Sequence, residues 1–141
     1  MPIGQANNQT FTTKQGTIYS DFTNNLNITP FSNDIARITN ENDVRQSLQN
    51  IVLTKAEERL YDNTIGPSNL IALFELDDSL SSTIAIQTIK DTLAASEPSA
   101  TILQVTVQNN PDQNYMIITI YFTVINNTNI LSTQVVVNRI R

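Results

Sequence analysis

The stretch that decides the fold is residues 79–124, SLSSTIAIQTIKDTLAASEPSATILQVTVQNNPDQNYMIITIYFTV. Its first part reads as a helix over residues 79–96. Ala85, Ile86, Ile89 and Leu93 recur at helical spacing, and an oxygen of Asp78 or Ser79 suits the N-cap. Leu80 and Ile84 fall off that stripe, which predicts a second contact for the helix. Pro98 has no N–H and disfavours helical backbone at Glu97, so the helix stops there. The pattern then switches to alternation: Leu103, Val105 and Val107 face one way, Gln104, Thr106 and Gln108 the other. Asn109, Asn110, Pro111 and Asp112 form a turn. A second strand, residues 115–125, puts Met116, Ile118, Ile120, Phe122 and Val124 on one face. Its other face, Tyr115, Ile117, Tyr121 and Ile125, is also largely apolar, which predicts a central strand covered on both sides or by a partner.

Working outward, residues 130–138 read as a third strand built on Val135, Val136 and Val137, joined by a turn-rich connection at residues 126–129. Upstream, residues 41–53 carry Val44, Leu48, Ile51 and Val52 on a helical stripe. Thr39 or Asn40 suits the cap, and Glu41 and Asp43 sit where the helix dipole favours negative charge. Residues 55–59 are a charged break, 60–65 a short extended piece, and Gly66-Pro67 a turn. Residues 69–76 predict a short third helix with Leu70, Leu73 and Phe74 buried. Residues 1–40 lack sustained periodicity but carry spaced apolar residues. They read as an extended N-terminal arm, mobile in the free protein and ordered in an assembly, with Tyr19, Phe22 and Phe31 as anchors. The expectation is an α+β fold: the arm, then one domain over residues 41–141 with three helices followed by a three-stranded antiparallel meander.

Composition narrows the function. The chain has 141 residues, net charge −5, 40% hydrophobic and only 15% charged residues, which fits one domain with a modest core. Net negative charge without a basic cluster argues against nucleic acid as a partner. No stretch approaches the roughly 20 apolar residues needed to cross a bilayer, so no membrane partner is expected. No secretory signal is expected either. Histidine and cysteine are absent. That removes the usual general base, the usual zinc ligands and the Ser-His and Cys-His nucleophile pairs; no cofactor, metal or catalytic residue is expected.

Glu57, Glu58, Asp62, Glu75, Asp77 and Asp78 are the acidic group that merits testing for chemistry, because two facing carboxylates suffice for a glycosidase. Charges at helix ends account for them more simply, and the sequence Asp77-Asp78-Ser79-Leu80 lacks the alternating ligands and glycine of a calcium loop. Arg59 is either solvated or braces the turn by a forked bond to Glu75 or Glu97. Glu97 opposes the dipole at a helix C-terminus, which predicts a cationic partner on this chain or another. The last strand carries no lysine or proline before Arg139, so it lacks the usual guard against edge pairing.

Several segments together resemble one family. Residues 43–54, then Glu58-Arg59-Leu60-Tyr61, Ile65-Gly66, Leu70 and Leu73-Phe74-Glu75, and finally Glu97-Pro98 before two strands, follow its motifs in order; Ser20-Asp21-Phe22 and Asp34-Ile35-Ala36 are similar to its N-terminal part. It is the small baseplate wedge or sheath-initiator family of contractile-tailed bacteriophages, also called lysozyme-like, with a cognate in the type VI secretion baseplate. Glu57 stands where the family has glycine, Asn63 where proline is common, and Ser99 where Glu-Pro-Arg has its arginine. The resemblance implies a structural protein of the virion tail baseplate, assembled in the host cytoplasm. It implies six copies bound to larger wedge proteins and to the tail sheath, with the tail tube a further candidate partner. Glu97, Pro98, Glu58 and Arg59 would contact wedge partners, and the last strand, with Leu131, Thr133, Val135 and Val137, would receive sheath. A lysozyme-type peptidoglycan hydrolase and a generic assembly adaptor are the alternatives.

Overall fold

The computed structural model describes residues 16, 18–55, 57–62, 64–67, 79–125 and 127–138. Two short strands, β1 (Ser20–Phe22) and β2 (Arg37–Thr39), lead into α1 (Glu41–Leu53); α2 (Ser79–Ser96), β3 (Ala100–Asn110), β4 (Tyr115–Val124) and β5 (Asn127–Asn138) follow. The order is helices then meander, as the α+β reading expects. The count differs. The described residues hold two α-helices rather than three, and residues 69–76, read as the third, lie outside them. They also hold a second sheet, in which β1 pairs antiparallel with β2 inside the arm. Strands of three residues are too short to show alternation, so the sequence pattern had nothing to register. Residues 60–62 and 64–65 turn and bend instead of forming an extended piece.

The main sheet has the order β3-β4-β5, all antiparallel. One face is buried under both helices. Val44, Leu48, Ile51 and Val52 of α1 and Ala85, Ile89 and Leu93 of α2 join Met116, Ile118, Ile120, Phe122 and Val124 of β4 in one core. Burying a large aliphatic or aromatic side chain contributes roughly 1.5–3 kcal/mol, so these few residues carry the fold. Ile86 packs at the core's margin, while Ile84 is exposed.

The second face of β4 is partly open, with Thr119 buried at its middle. Ile117 is half-buried, and Tyr121 and, beside it on β5, Val136 are 37% and 54% exposed. In β3 the expected alternation breaks at a bulge between Ile102 and Gln104. The extra residue reverses the parity: Ala100, Ile102 and Val105 are buried, and Leu103, expected inside, is 42% exposed. The β3–β4 turn is a 3-10 turn at Pro111–Gln113 closed by Asn114 at φ 53°, a backbone region asparagine tolerates. β5 begins at Asn127, within the expected connection, where Asn127 donates to the Glu41 carboxylate at the start of α1.

Gly66 is buried at φ +108°, with the Thr54 carbonyl oxygen 2.1 Å from where a Cβ would stand. No side chain fits there, which explains glycine at the chain's return past the end of α1.

Candidate functional site

β3 and β5 are the two edges of the main sheet, and neither strand contains a charged residue or a proline. They are guarded differently. At β3 the Lys90 ammonium of α2 donates to the Leu103 carbonyl at 3.1 Å, at the bulge itself. A bulge and a lysine are two of the devices that discourage a foreign strand. At β5, among the described residues, the side chain that bonds to residues 131–137 from outside the sheet is a neutral amide. Gln49 of α1 donates to the Thr133 hydroxyl at 2.9 Å and the Gln134 carbonyl at 3.3 Å.

The register fixes what β5 shows. Leu131, Thr133, Val135 and Val137 oppose Phe122, Ile120, Ile118 and Met116, so the four residues singled out for the edge turn their side chains toward the helix-covered face. Val135 and Thr133 are buried, Leu131 and Val137 partly so. Ser132, Gln134 and Val136 line the open face. A strand added at this edge would therefore meet backbone first, with side-chain contact chiefly on the open face.

Glu97 lies half-buried where the end of α2 meets α1. Its carboxylate accepts one bond from the Ser47 hydroxyl of α1 and another from the Ser99 hydroxyl. Ser99, the residue at the arginine position of the resembling motif, thus supplies a neutral donor within the chain. Among the described residues no lysine or arginine pairs with Glu97. Arg59 is exposed, and its charge acts on Asp62. Pro98 and Glu58 are also exposed; the Glu58 carboxylate accepts the Lys55 N–H at 3.1 Å. Among the described residues, then, neither Glu58 nor Arg59 bonds to Glu97 at the α1–α2 junction.

Asp43, one turn before Ser47 on α1, is held above the ordinary carboxylate range. Burial contributes most, then the negative charges of Asp21 and Glu97. Sequence reasoning missed this group, because Asp21 reaches it only through the fold of the arm. Of the acidic segment singled out for hydrolysis, Glu57, Glu58 and Asp62 are exposed, and Glu75, Asp77 and Asp78 lie outside the described residues. The Thr64 hydroxyl and N–H hold Asp62 below its ordinary value, opposite to what a general acid requires.

The arm follows a polar route. Asn40 precedes α1 with φ 52° and makes no side-chain cap bond. Its side-chain oxygen instead accepts the Ile18 N–H at 2.9 Å, and its N–H donates to the Tyr19 carbonyl at 2.8 Å. Gln46 holds the next turn through the Asn24 N–H and the Phe22 carbonyl. Of the three anchors, Tyr19 packs partly buried against the core, Phe22 lies under the Arg37 guanidinium at 5.5 Å, and Phe31 is 102% exposed. Among the described residues no helix is long and apolar enough to cross a membrane, and no cluster of carboxylates is placed to hold a metal.

No family model matches the sequence, and no curated protein matches it. The solved structures that share its fold include two associated with tails or baseplates. One is a protein of Geobacter sulfurreducens designated a candidate tail lysozyme, at 19% identity and TM-score 0.64, covering 72% of this chain and 92% of that one. The other is a chain of the anti-feeding prophage baseplate, solved with six-fold symmetry, at 15% identity and TM-score 0.58, covering 84% of this chain and 83% of that one. The chain therefore has a fold found in a tail-associated protein and in a baseplate assembly.

Proposed function

We propose that this chain is a structural subunit of a contractile-tail baseplate wedge, which binds larger wedge proteins and starts sheath assembly through β5. One observation carries the reading. In a fold shared with a baseplate chain, the sheet ends on a twelve-residue strand without charge, proline or lysine at its edge, while the opposite edge is guarded by a bulge and Lys90. An unguarded edge is an aggregation hazard in a free protein and a docking surface in an assembly. Main-chain pairing gives affinity, and alternating side chains fix register. The neighbouring subunits expected are wedge proteins and tail sheath, with the tube nearby and six copies around it. Glu97 and Pro98 at the α1–α2 junction, and Glu58 and Arg59 on the loop after α1, are proposed to face wedge partners. Tyr19, Phe22 and Phe31 would steady the arm on the assembly, with Phe31 the most available.

A proline scan over residues 131–137 tests the reading, since proline cannot donate to a ladder. Variants whose lost N–H faced outward should leave the wedge intact and block sheath nucleation; those facing β4 should weaken the fold. If every folded variant nucleates sheath at normal rate, β5 is not the docking strand.

Peptidoglycan hydrolysis is the competing reading, raised by the Geobacter sulfurreducens protein. No turnover is expected, because the described carboxylates of residues 57–62 are exposed and Asp62 is stabilised in its charged form. Hydrolysis above a denatured control, lost in Glu58→Gln, would replace assembly with catalysis.

A further inference from the structure

The arm and α1 enclose an open cleft of about 370 Å³ lined by Thr23, Asn24, Asn25, Ile38, Asn42, Arg45, Gln46 and Gln49. Two of its polar atoms, the Arg45 Nε and the Thr23 Oγ1, are buried and have no hydrogen-bond partner among the described residues. Buried donors are ordinarily paired, and a guanidinium has five N–H donors in a fixed fork. One orphan belongs to the arm and the other to α1, the two elements that line the cleft, and such a pair is where a ligand's acceptor could complete the structure.

The chemistry of the walls narrows the ligand. Arg45 is the one charged residue there; the rest are amides, a hydroxyl and Ile38. A single guanidinium matches a single negative charge, whereas a phosphate dianion would leave charge unmatched. Asparagine and glutamine each present donor and acceptor, the complement of a peptide main chain. Among the described residues no carboxylate bonds to the Arg45 Nε. Asp43 lies roughly 160° around α1 from it at 3.6 residues per turn, on the side of Asp21 and Glu97. Gln49 lines the cleft and also donates to the Thr133 hydroxyl and the Gln134 carbonyl of β5.

We propose that the cleft between the arm and α1 binds a carboxylate carried by an extended peptide segment of a partner protein, with Arg45 supplying the fork and Thr23 a hydroxyl. This site stands on Arg45 and Thr23 and does not depend on strand addition at β5.

The test is a titration of the full chain, followed by the Arg45 Nε–H and Thr23 amide resonances. The probes are short valine–threonine peptides: one blocked at both ends with a central glutamate, its glutamine counterpart, and an uncharged peptide with a free C-terminal carboxylate. Inorganic phosphate is the fourth probe. The glutamate peptide, the free-carboxylate peptide or both should shift both resonances and bind at least about tenfold tighter than the glutamine peptide, as a charge-assisted bond should. Which of the two binds identifies the carboxylate as side chain or terminus. Arg45→Lys, which keeps the charge and loses the fork, should weaken binding by about tenfold; Thr23→Val should weaken it less. The proposal fails if glutamate and glutamine peptides bind alike, if phosphate outcompetes both carboxylates, if Arg45→Lys and Arg45→Met leave affinity unchanged in folded protein, or if no peptide binds.

Discussion

The two edges of the main sheet have similar sequences and different guards. β3 (Ala100–Asn110) and β5 (Asn127–Asn138) are both uncharged and rich in valine, threonine, glutamine and asparagine. Composition alone ranks them equally as sites of strand addition. What separates them comes from elsewhere in the chain. Lys90 on α2 reaches the carbonyl of Leu103, the bulged residue of β3, whereas residues 131–137 of β5 are reached, among the described residues, by the neutral Gln49. Whether an edge is protected is thus a property of the helix packed beside it as much as of the strand.

The largest expected effect removes the comparison altogether. Phe122 is fully buried on the central strand, in the pairing with both edges. Phe122→Ala should cost about 3–5 kcal/mol of stability, measured by denaturant unfolding, and both edges should fray together in hydrogen exchange. Loss of protection on one edge only would show that the sheet is not one cooperative unit.

Prolines sharpen the comparison next. A proline at an outward-facing N–H of β5 should abolish sheath nucleation without unfolding the wedge, and the same change in β3 should leave nucleation intact. Equal effects at both edges would mean that Lys90 and the bulge do not decide the docking side.

Lys90→Met should then convert β3 into a second open edge. Folded stability should fall by about 1 kcal/mol, the typical worth of one hydrogen bond. The telling readout is concentration-dependent self-association in sedimentation velocity, present in Lys90→Met and absent in Gln49→Ala. A monomeric Lys90→Met protein would assign the guarding to the bulge.

The smallest effect is a control away from both edges. Asp43 has a raised pKa, so the folded state binds its proton more tightly than the unfolded chain does. Stability therefore falls as pH rises from the ordinary value of 3.8 through the raised one, and the loss persists at neutral pH. Asp43→Asn should stabilise slightly at neutral pH and give no gain below pH 3.8, read from thermal midpoints at both conditions. A gain at low pH equal to that at neutral pH would rule out charge repulsion from Asp21 and Glu97 as its source.

The elements themselves were legible in the residues. The stripe Val44, Leu48, Ile51 and Val52 fixed α1, the helical run before Pro98 fixed α2, and alternation from Met116 to Val124 fixed the buried face of β4. These signals are local: a period of three to four or of two places side chains on one face before any tertiary contact forms. The arm sheet, the bulge and the cleft were not legible. β1 and β2 are too short to carry a period, and Asn40, which the sequence offers as a helix cap, spends its side chain on the arm instead. A bulge shifts parity by a single residue, so Leu103 reads as core until its partner strand is known. Tertiary structure alone decided that Glu97 meets Ser47 rather than a cation among the described residues, that Lys90 guards β3, and that Arg45 and Thr23 line one cleft. Each of these joins residues about 13 to 50 positions apart, and no local pattern of the chain encodes a distance in space.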